Sequence, residues 1–169
     1  MKITVAKGAG FCFGVRRAYG ILEKALEERK EGERIFTLGS FVHNPHITEE
    51  LAGKGVYITD EASLERLYSE ACETAPVTIL LRTHGISKQL KETVEAYSEK
   101  NPWFRSIDCT CPCVLNIHRI VERETAIDPD KTVLLVYGDR EHPEVGIQFI
   151  DCPVCLYSWM VFCDSCTSN

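Results

Sequence analysis

Val77-Thr78-Ile79-Leu80-Leu81 is a five-residue run in which apolar side chains do not alternate with polar ones. Such a run is typical of a strand that is buried on both faces, as in a parallel sheet covered by helices on each side. Arg82-Thr83-His84-Gly85-Ile86-Ser87 follows, and serine is a residue type that caps helices. The stretch therefore predicts a strand, a loop and a helix in a covered parallel sheet.

The same order of strand, loop and helix is predicted along most of the chain. Strands are expected at 3–6, 34–38, 56–58, 104–107 and 131–137. Apolar positions at helical spacing lie in 15–26 and 114–121, and helices are also expected at 61–68, through 47 and 51 to a stop at Gly53, and from the Ser87 cap to a break at Asn101-Pro102. Regular alternation requires crossover connections and hence a mainly parallel sheet. We therefore expect an α/β fold whose ligands bind beyond the carboxyl ends of the strands.

The composition excludes several classes of protein. The chain has 169 residues and a formal net charge of -6, which argues against a nucleic-acid-binding surface. An anionic small molecule stays open as a ligand, because local histidines can outweigh a distant acidic surface. No apolar run approaches the roughly 20 residues that span a bilayer, and the apolar part of the amino terminus is too short for a signal peptide. We expect a cytoplasmic protein that binds neither nucleic acid nor a membrane.

Two cysteine loops follow predicted strands, and nine cysteines in a reducing compartment favour free thiols or metal ligands. Cys12 lies in a glycine-rich loop whose third glycine is one residue too late for a dinucleotide fingerprint. Cys111 lies in Asp108-Cys109-Thr110-Cys111-Pro112-Cys113, where alternation predicts one ligand and two small buried residues, Cys109 and Cys113. Thiolates are the soft ligands that iron–sulfur clusters and zinc select, so the two loops predict a shared metal centre. Cys72 shows no pattern that would indicate a metal ligand.

Three histidines stand in predicted exposed turns after strands: His43 in Val-His-Asn, His84 in Thr-His-Gly and His142 in His-Pro-Glu. Imidazoles at one sheet edge suit a diphosphate, and they suit zinc equally well. Glu144 follows closely and is a carboxylate placed to carry a proton. The two histidines on helical segments are interpreted as surface or core-edge residues: His46 and His118.

Five segments together resemble the 4-hydroxy-3-methylbut-2-enyl diphosphate reductase family, also called LytB/IspH, in the family's order and over residues 1 to about 148. They are Gly-Phe-Cys-Phe-Gly-Val at 10–15, Val-His-Asn at 42–44, Thr-His-Gly-Ile-Ser at 83–87, Asp-Cys-Thr-Cys-Pro at 108–112 and His-Pro-Glu-Val at 142–145.

The resemblance implies an iron–sulfur oxidoreductase that carries a 4Fe-4S cluster and completes the methylerythritol phosphate route to isoprenoids. Its substrate is an allylic diphosphate, which it converts to isopentenyl and dimethylallyl diphosphates with electrons from a ferredoxin or flavodoxin. Carried over by motif, Cys12 and Cys111 are cluster ligands, while Glu144 supplies the proton with which the hydroxyl leaves as water. The diphosphate is held by three histidines: His43, His84 and His142.

The family is built from three similar α/β units with mostly parallel sheets, and this sequence resembles two of them. We divide it into a first unit at 1–110, the start of a second at 111–148 and an atypical cysteine-rich tail at 149–169. The tail carries two Cys-x-x-Cys pairs, Cys152 with Cys155 and Cys163 with Cys166, and the gap between the pairs is shorter than in a zinc ribbon. We favour a frame-shifted end of the reading frame over a metal-binding knuckle. A tail cysteine as the third cluster ligand stays open.

Two alternatives to the reductase are a non-catalytic zinc-type module that uses the tail and an inactive truncated fragment. Even as a reductase, the isolated chain is expected to show little turnover, because two cluster ligands and half a substrate pocket are poorly held.

Overall fold

The computed structural model describes residues 2–4, 6 and 9–127, together with the two short strands 135–136 and 155–156. The helices are α1 (Phe13–Glu27), α2 (Pro45–Gly53), α3 (Leu64–Glu70, after a 3₁₀ turn at Glu61–Ser63), α4 (Lys88–Lys100) and α5 (Pro112–Ile127). The strands are β1 (Arg34–Leu38), β2 (Val56–Thr59), β3 (Val77–Leu81), β4 (Phe104–Asp108), β5 (Leu135–Val136) and β6 (Cys155–Leu156). The predicted α/β class is confirmed.

Four strands form one parallel sheet in the order β2-β1-β3-β4. The register sets Leu38 of β1 beside Leu81 of β3, and Leu81 beside Asp108 of β4. All five residues of β3 are buried, as the run without alternation predicted. The two inner strands therefore end at the same level, and the loops that follow them emerge side by side.

Helices cover both faces of this sheet and make a three-layer structure. On one face, Leu22 of α1 and Leu51 of α2 pack with Leu80 of β3. On the opposite face, Leu67 of α3 and Val94 of α4 pack with Ile79. Neighbouring residues of β3 serve the two cores because successive side chains of a strand point to opposite faces.

Two helices begin at visible caps, and the cap at Ser87 was predicted. The Ser87 hydroxyl accepts a hydrogen bond from Leu90 N at 3.3 Å, and Asn44 Oδ1 accepts one from His46 N at 3.0 Å. Each cap satisfies a backbone N–H that has no partner within its own helix. These caps fix where α4 and α2 begin, immediately after the loops that carry the candidate histidines.

The strand expected at 3–6 is wrong for the residues that the structure describes there. Lys2, Ile3, Thr4 and Ala6 lie outside any strand, and Ile3 is 76% exposed. A short apolar run forms a strand only where a sheet edge accepts its hydrogen bonds, and the described residues of this run pair with no strand of the sheet. In contrast, the strand expected at 131–137 is described only at Leu135–Val136, where it pairs in parallel with Cys155–Leu156.

The division into units at 1–110, 111–148 and 149–169 stays a prediction, since much of the second and third ranges lies outside the described residues. Among the described helices, none combines the length and hydropathy that crossing a membrane requires.

Candidate functional site

The candidate site lies at the carboxyl edge of the sheet, where the loops after β1, β3 and β4 are neighbours. His43 follows β1, His84 follows β3 and Cys111 follows β4. The amino end of α1, with Cys12, comes to the same edge through its contact with the Cys111 loop. The structure thus brings together the four predicted site residues that it describes. His142 and Glu144 lie outside the described residues, so their expected roles are untested.

The two described histidines are in ring contact, with centroids 4.7 Å apart and planes inclined by 40°. Buried Thr83 joins their loops, because its hydroxyl donates a hydrogen bond to the carbonyl of Phe41 at 2.9 Å. The same Oγ1 lies 3.4 Å from His84 Nδ1. A buried hydroxyl bridging two loops therefore holds both imidazoles at one place; the sequence predicted a shared sheet edge, and the structure adds their contact.

Gly85 and Arg82 set the path of the His84 loop. Gly85 adopts φ +81°, and a Cβ there would stand only 3.3 Å from Thr110 Cγ2, so glycine suits the position on both counts. Arg82 Nε donates a hydrogen bond to the Gly85 carbonyl at 2.8 Å, and burial lowers the pKa of this guanidinium. His118 of α5 packs against the same loop, and its Nε2 is buried without a hydrogen-bond partner. The interpretation of His118 as a core-edge residue is consistent with this position.

Cys12 and Cys111 occupy the same local position, each immediately before a helix. The carbonyl of Cys12 accepts a hydrogen bond from Arg16 N at 3.0 Å, and that of Cys111 accepts one from Leu115 N at 3.0 Å. Each cysteine is therefore the residue at which helical bonding starts, α1 in one case and α5 in the other. Helix amino termini carry partial positive charge, so both positions favour an anionic group.

The absence of a side chain at Gly14 lets the two helix amino termini meet. A Cβ added to Gly14 would overlap Cys111 Sγ and lie 3.1 Å from Cys111 Cβ. Two further bonds hold the loop: Cys111 N donates to the Thr83 carbonyl at 2.8 Å, and Arg17 Nη1 donates to the Thr110 carbonyl at 3.2 Å. Sequence reasoning interpreted this glycine only as part of a tight turn. Its contact with Cys111 depends on an approach across about a hundred residues of chain.

The other two cysteines of the triplet differ from each other. Cys109 is completely buried, as predicted, and burial raises the pKa of its thiol to about 12. The buried interpretation of Cys113 is wrong, because this thiol is exposed. Its pKa is raised, first by hydrogen bonding to the neighbouring Cys111 thiol and then by the charges of Cys111 and Cys12. Strand alternation stops before Pro112, where α5 begins, so it does not decide where Cys113 points.

The exit of β4 is held by an ion pair. Asp108 Oδ2 lies 2.8 Å from Lys91 Nζ of α4, and Asp108 Oδ1 accepts a hydrogen bond from Thr110 N at 2.8 Å. Burial by itself would raise the pKa of this carboxyl, but the bonds from Lys91 and Thr110 outweigh it and the pKa lies below its usual range. The pKa of Lys91 is raised by the same hydrogen bond. Asp108 thus braces the loop that presents Cys111.

An open depression of about 480 Å³ lies beside His43 at the amino end of α2. Six residues line it: Ser40, His43, Asn44, Pro45, Thr48 and Glu49. The imidazole of His43 and the positive end of the α2 dipole favour an anion here, whereas the first backbone N–H groups of α2 are already bonded to Asn44. The depression is open to solvent, so it forms one wall of a site.

Within the described part of the chain, no group of three or more His, Cys, Asp or Glu side chains is arranged to hold a metal ion. The donor set at the site nevertheless fits an iron–sulfur cluster, because Cys12 and Cys111 precede two helices whose amino ends lie close together, and thiolates are the usual protein ligands of such clusters. The tail cysteines fall outside the described residues, apart from the backbone of Cys155 in β6.

A profile of the family described as LytB protein matches residues 3–149. The 4-hydroxy-3-methylbut-2-enyl diphosphate reductase of Caldanaerobacter subterraneus is 38% identical over 145 residues, which are 86% of this chain and 45% of that protein. The protein of the same name from Geobacter sulfurreducens is 37% identical over 146 residues, covering 86% of this chain and 44% of the relative. The chain spans about 45% of the length of these curated relatives.

Two solved structures have a similar fold. One, called (E)-4-hydroxy-3-methyl-but-2-enyl diphosphate reductase, the terminal enzyme of the non-mevalonate pathway, aligns with a TM-score of 0.65 at 32% identity, over 86% of this chain and 45% of that one. The E-1-hydroxy-2-methyl-but-2-enyl-4-diphosphate reductase of Plasmodium falciparum aligns with a TM-score of 0.69 at 25% identity, over 90% of this chain and 43% of that one. These similarities do not favour the alternative of a zinc module.

We predict that Gly14→Ala destabilises the chain, whereas Gly20→Ala in the same helix does not. At position 20 a Cβ meets open space, and alanine gains up to about 1 kcal/mol of helix propensity over glycine. At position 14 the new methyl group strikes Cys111, and overpacking of this kind costs about 1–3 kcal/mol. Urea unfolding of both variants measures the difference, and an equal gain in stability for both would contradict the contact.

A second prediction concerns acid. Because the pKa of Asp108 is lower in the folded chain than in the unfolded one, its stabilising effect is present above the unfolded value and is lost as pH falls through the folded value. Asp108→Asn should therefore lower the free energy of unfolding at pH 7, by about 1 kcal/mol for a partly exposed pair, and the gap from wild type should close below about pH 4. Urea unfolding across this pH range tests it, with Glu99→Gln on an exposed site of α4 as control. A gap that stayed constant down to pH 3 would contradict the assignment.

Proposed function

Because the chain belongs to the LytB protein family, we propose that it is the amino-terminal part of a reductase that converts 4-hydroxy-3-methylbut-2-enyl diphosphate to isopentenyl and dimethylallyl diphosphates. One observation carries the proposal to these residues. The amino ends of α1 and α5, each preceded by a cysteine, meet at Gly14, one loop away from the paired rings of His43 and His84.

In this proposal Cys12 and Cys111 are protein ligands of a 4Fe-4S cluster. The cluster, when bound, would supply the electrons for reductive removal of the substrate's hydroxyl group. Both ligands would lie at a helix amino terminus, where the partial positive charge of the helix favours an anionic centre. Cys109 takes no part, because complete burial keeps its thiol protonated.

His43 and His84 are proposed to hold the diphosphate. Imidazole N–H groups donate to phosphate oxygens, and the ring contact keeps the two imidazoles side by side. The depression at the amino end of α2 gives the anion an open approach to His43. Thr83 is a positioning residue, since its hydroxyl links the two histidine loops.

The remaining parts of the proposal rest on the motif at 142–145. His142 is the third histidine for the diphosphate, and Glu144 gives the proton with which the hydroxyl leaves as water. A ferredoxin or flavodoxin as electron donor and a cytoplasmic location belong to the same proposal.

The cluster assignment predicts that bound iron depends on Cys12 and Cys111 but not on Cys72. After anaerobic reconstitution with iron and sulfide, wild type and Cys72→Ser should show the visible absorption and Mössbauer signals of a 4Fe-4S cluster. Cys12→Ser and Cys111→Ser should lose most of the bound iron, because serine is a poor ligand for this soft metal centre. Cys72 is a suitable control, since it is exposed in the connection between α3 and β3.

A chain shortened to end at Gln148 tests, in the same experiment, whether the cysteine-rich tail at 149–169 is needed for the cluster. A cluster that forms equally in wild type, Cys12→Ser and Cys111→Ser would contradict the assignment, and its loss in the shortened chain would then place it on the tail alone. Loss both in the cysteine variants and in the shortened chain would instead indicate that the tail supplies a third ligand.

The diphosphate assignment predicts that His43→Ala and His84→Ala each weaken binding of inorganic diphosphate by about tenfold or more. A hydrogen bond to a charged group contributes about 1.5–3 kcal/mol, and 1.4 kcal/mol corresponds to tenfold in affinity. Isothermal titration gives the affinities, with His46→Ala as the matched control on an exposed histidine three residues from His43. An equal loss in all three variants would indicate binding by general charge and contradict the assignment.

A further inference from the structure

Cys113 has no role in the proposed function, yet its thiol stands beside a thiol that does. The residue is exposed in the first turn of α5, two residues after Cys111, whose carbonyl accepts the first hydrogen bond of that helix. Both are free thiols, as is Cys12. Two accessible thiols so close along the chain can be joined by a disulfide, a use that is separate from metal binding.

We propose that Cys111 and Cys113 form a reversible disulfide when the metal-free chain meets a peroxide. The site is a modification site that goes beyond the proposed function. It also does not depend on that function, because it needs only the two thiols and an oxidant.

The backbone allows this bond. Two residue steps span at most about 7 Å between Cα atoms, and disulfides join Cα atoms about 4.4–6.8 Å apart. Cys111 is the residue at which α5 begins and Cys113 lies inside its first turn, so the chain between them is shorter than fully extended. Pro112 has a fixed φ, which limits the freedom that the pair loses when it is joined.

The chemistry balances with the peroxide as the oxidant. The Cys111 thiolate attacks one oxygen of hydrogen peroxide, the O–O bond breaks, and a sulfenic acid and hydroxide result. The Cys113 thiol then attacks the sulfenic sulfur, an S–S bond forms, and water leaves. In total two thiols lose two electrons and two protons, and one peroxide becomes two waters.

The neighbouring thiols favour this pairing over others. Cys109 is completely buried and has no access to an oxidant. Cys12 lies on a different helix, and it influences Cys113 less than Cys111 does. The Cys111 to Cys113 bond holds Cys111 at an oxidation level that a thiol reductant can reverse. Without a second thiol, the sulfenic acid on Cys111 would be oxidised further to sulfinic acid.

The test uses the full chain, freed of metal, treated with hydrogen peroxide and then alkylated after denaturation. Trypsin cuts after Arg105 and Arg119, so one peptide, 106–119, carries all three cysteines of the loop. We expect this peptide to lose the mass of two hydrogen atoms, with Cys109 alkylated and the bond placed between Cys111 and Cys113 by fragmentation. Dithiothreitol should restore the reduced peptide.

Cys113→Ser and Cys109→Ser are matched variants within the same peptide. Cys109→Ser should still form the disulfide, whereas Cys113→Ser should instead collect sulfinic acid on Cys111 that dithiothreitol does not reverse. A bond from Cys111 or Cys113 to Cys12 or Cys109, or equal overoxidation of Cys111 in wild type and Cys113→Ser, would overturn the proposal, as would an unmodified peptide. Since no iron is added, failure of the proposed reductase would leave this result unchanged.

Discussion

The parallel register of β1, β3 and β4 is the constraint on which the candidate site depends. Leu38 lies beside Leu81, and Leu81 beside Asp108, so these strands end at one level. Their loops are thereby neighbours, and the bonds between them are short backbone and hydroxyl bonds: Thr83 to Phe41 and Cys111 to Thr83. A slip of one residue in either pairing would separate the histidine pair from the Cys111 loop, since every side chain of the slipped strand would change face.

The thiol end of the site shows how a missing side chain can position others. Because Gly14 has no side chain, Cys111 Sγ fits against the first turn of α1, where a Cβ would overlap it. Two helix amino termini then lie near each other, with Cys12 before one and Cys111 before the other. The formal charge of -6 for the whole chain does not oppose an anionic ligand there, because helix termini and N–H groups act within a few ångströms.

Membership of the LytB family and the geometry of the site support each other. The relatives are reductases of an allylic diphosphate, and this chain covers about 45% of their length. Within that part, the structure places two thiols and two imidazoles at one sheet edge, which are the donor types that an iron–sulfur cluster and a diphosphate need. The exposed Cys113, two residues after Cys111, is a further free thiol at this edge of the sheet.

The sequence by itself determined the α/β class, the order of strands and helices from β1 onward and the loops that carry chemistry. These follow from local signals: the uninterrupted apolar run of β3, the cap at Ser87, and the break at Asn101. Only the tertiary structure decided that His43 and His84 touch, that Gly14 receives Cys111, and that Cys113 is exposed while Cys109 is buried. The physical reason is that these contacts join residues distant in the chain or depend on where a strand gives way to a helix. Neither is encoded in the spacing of residue types along one segment.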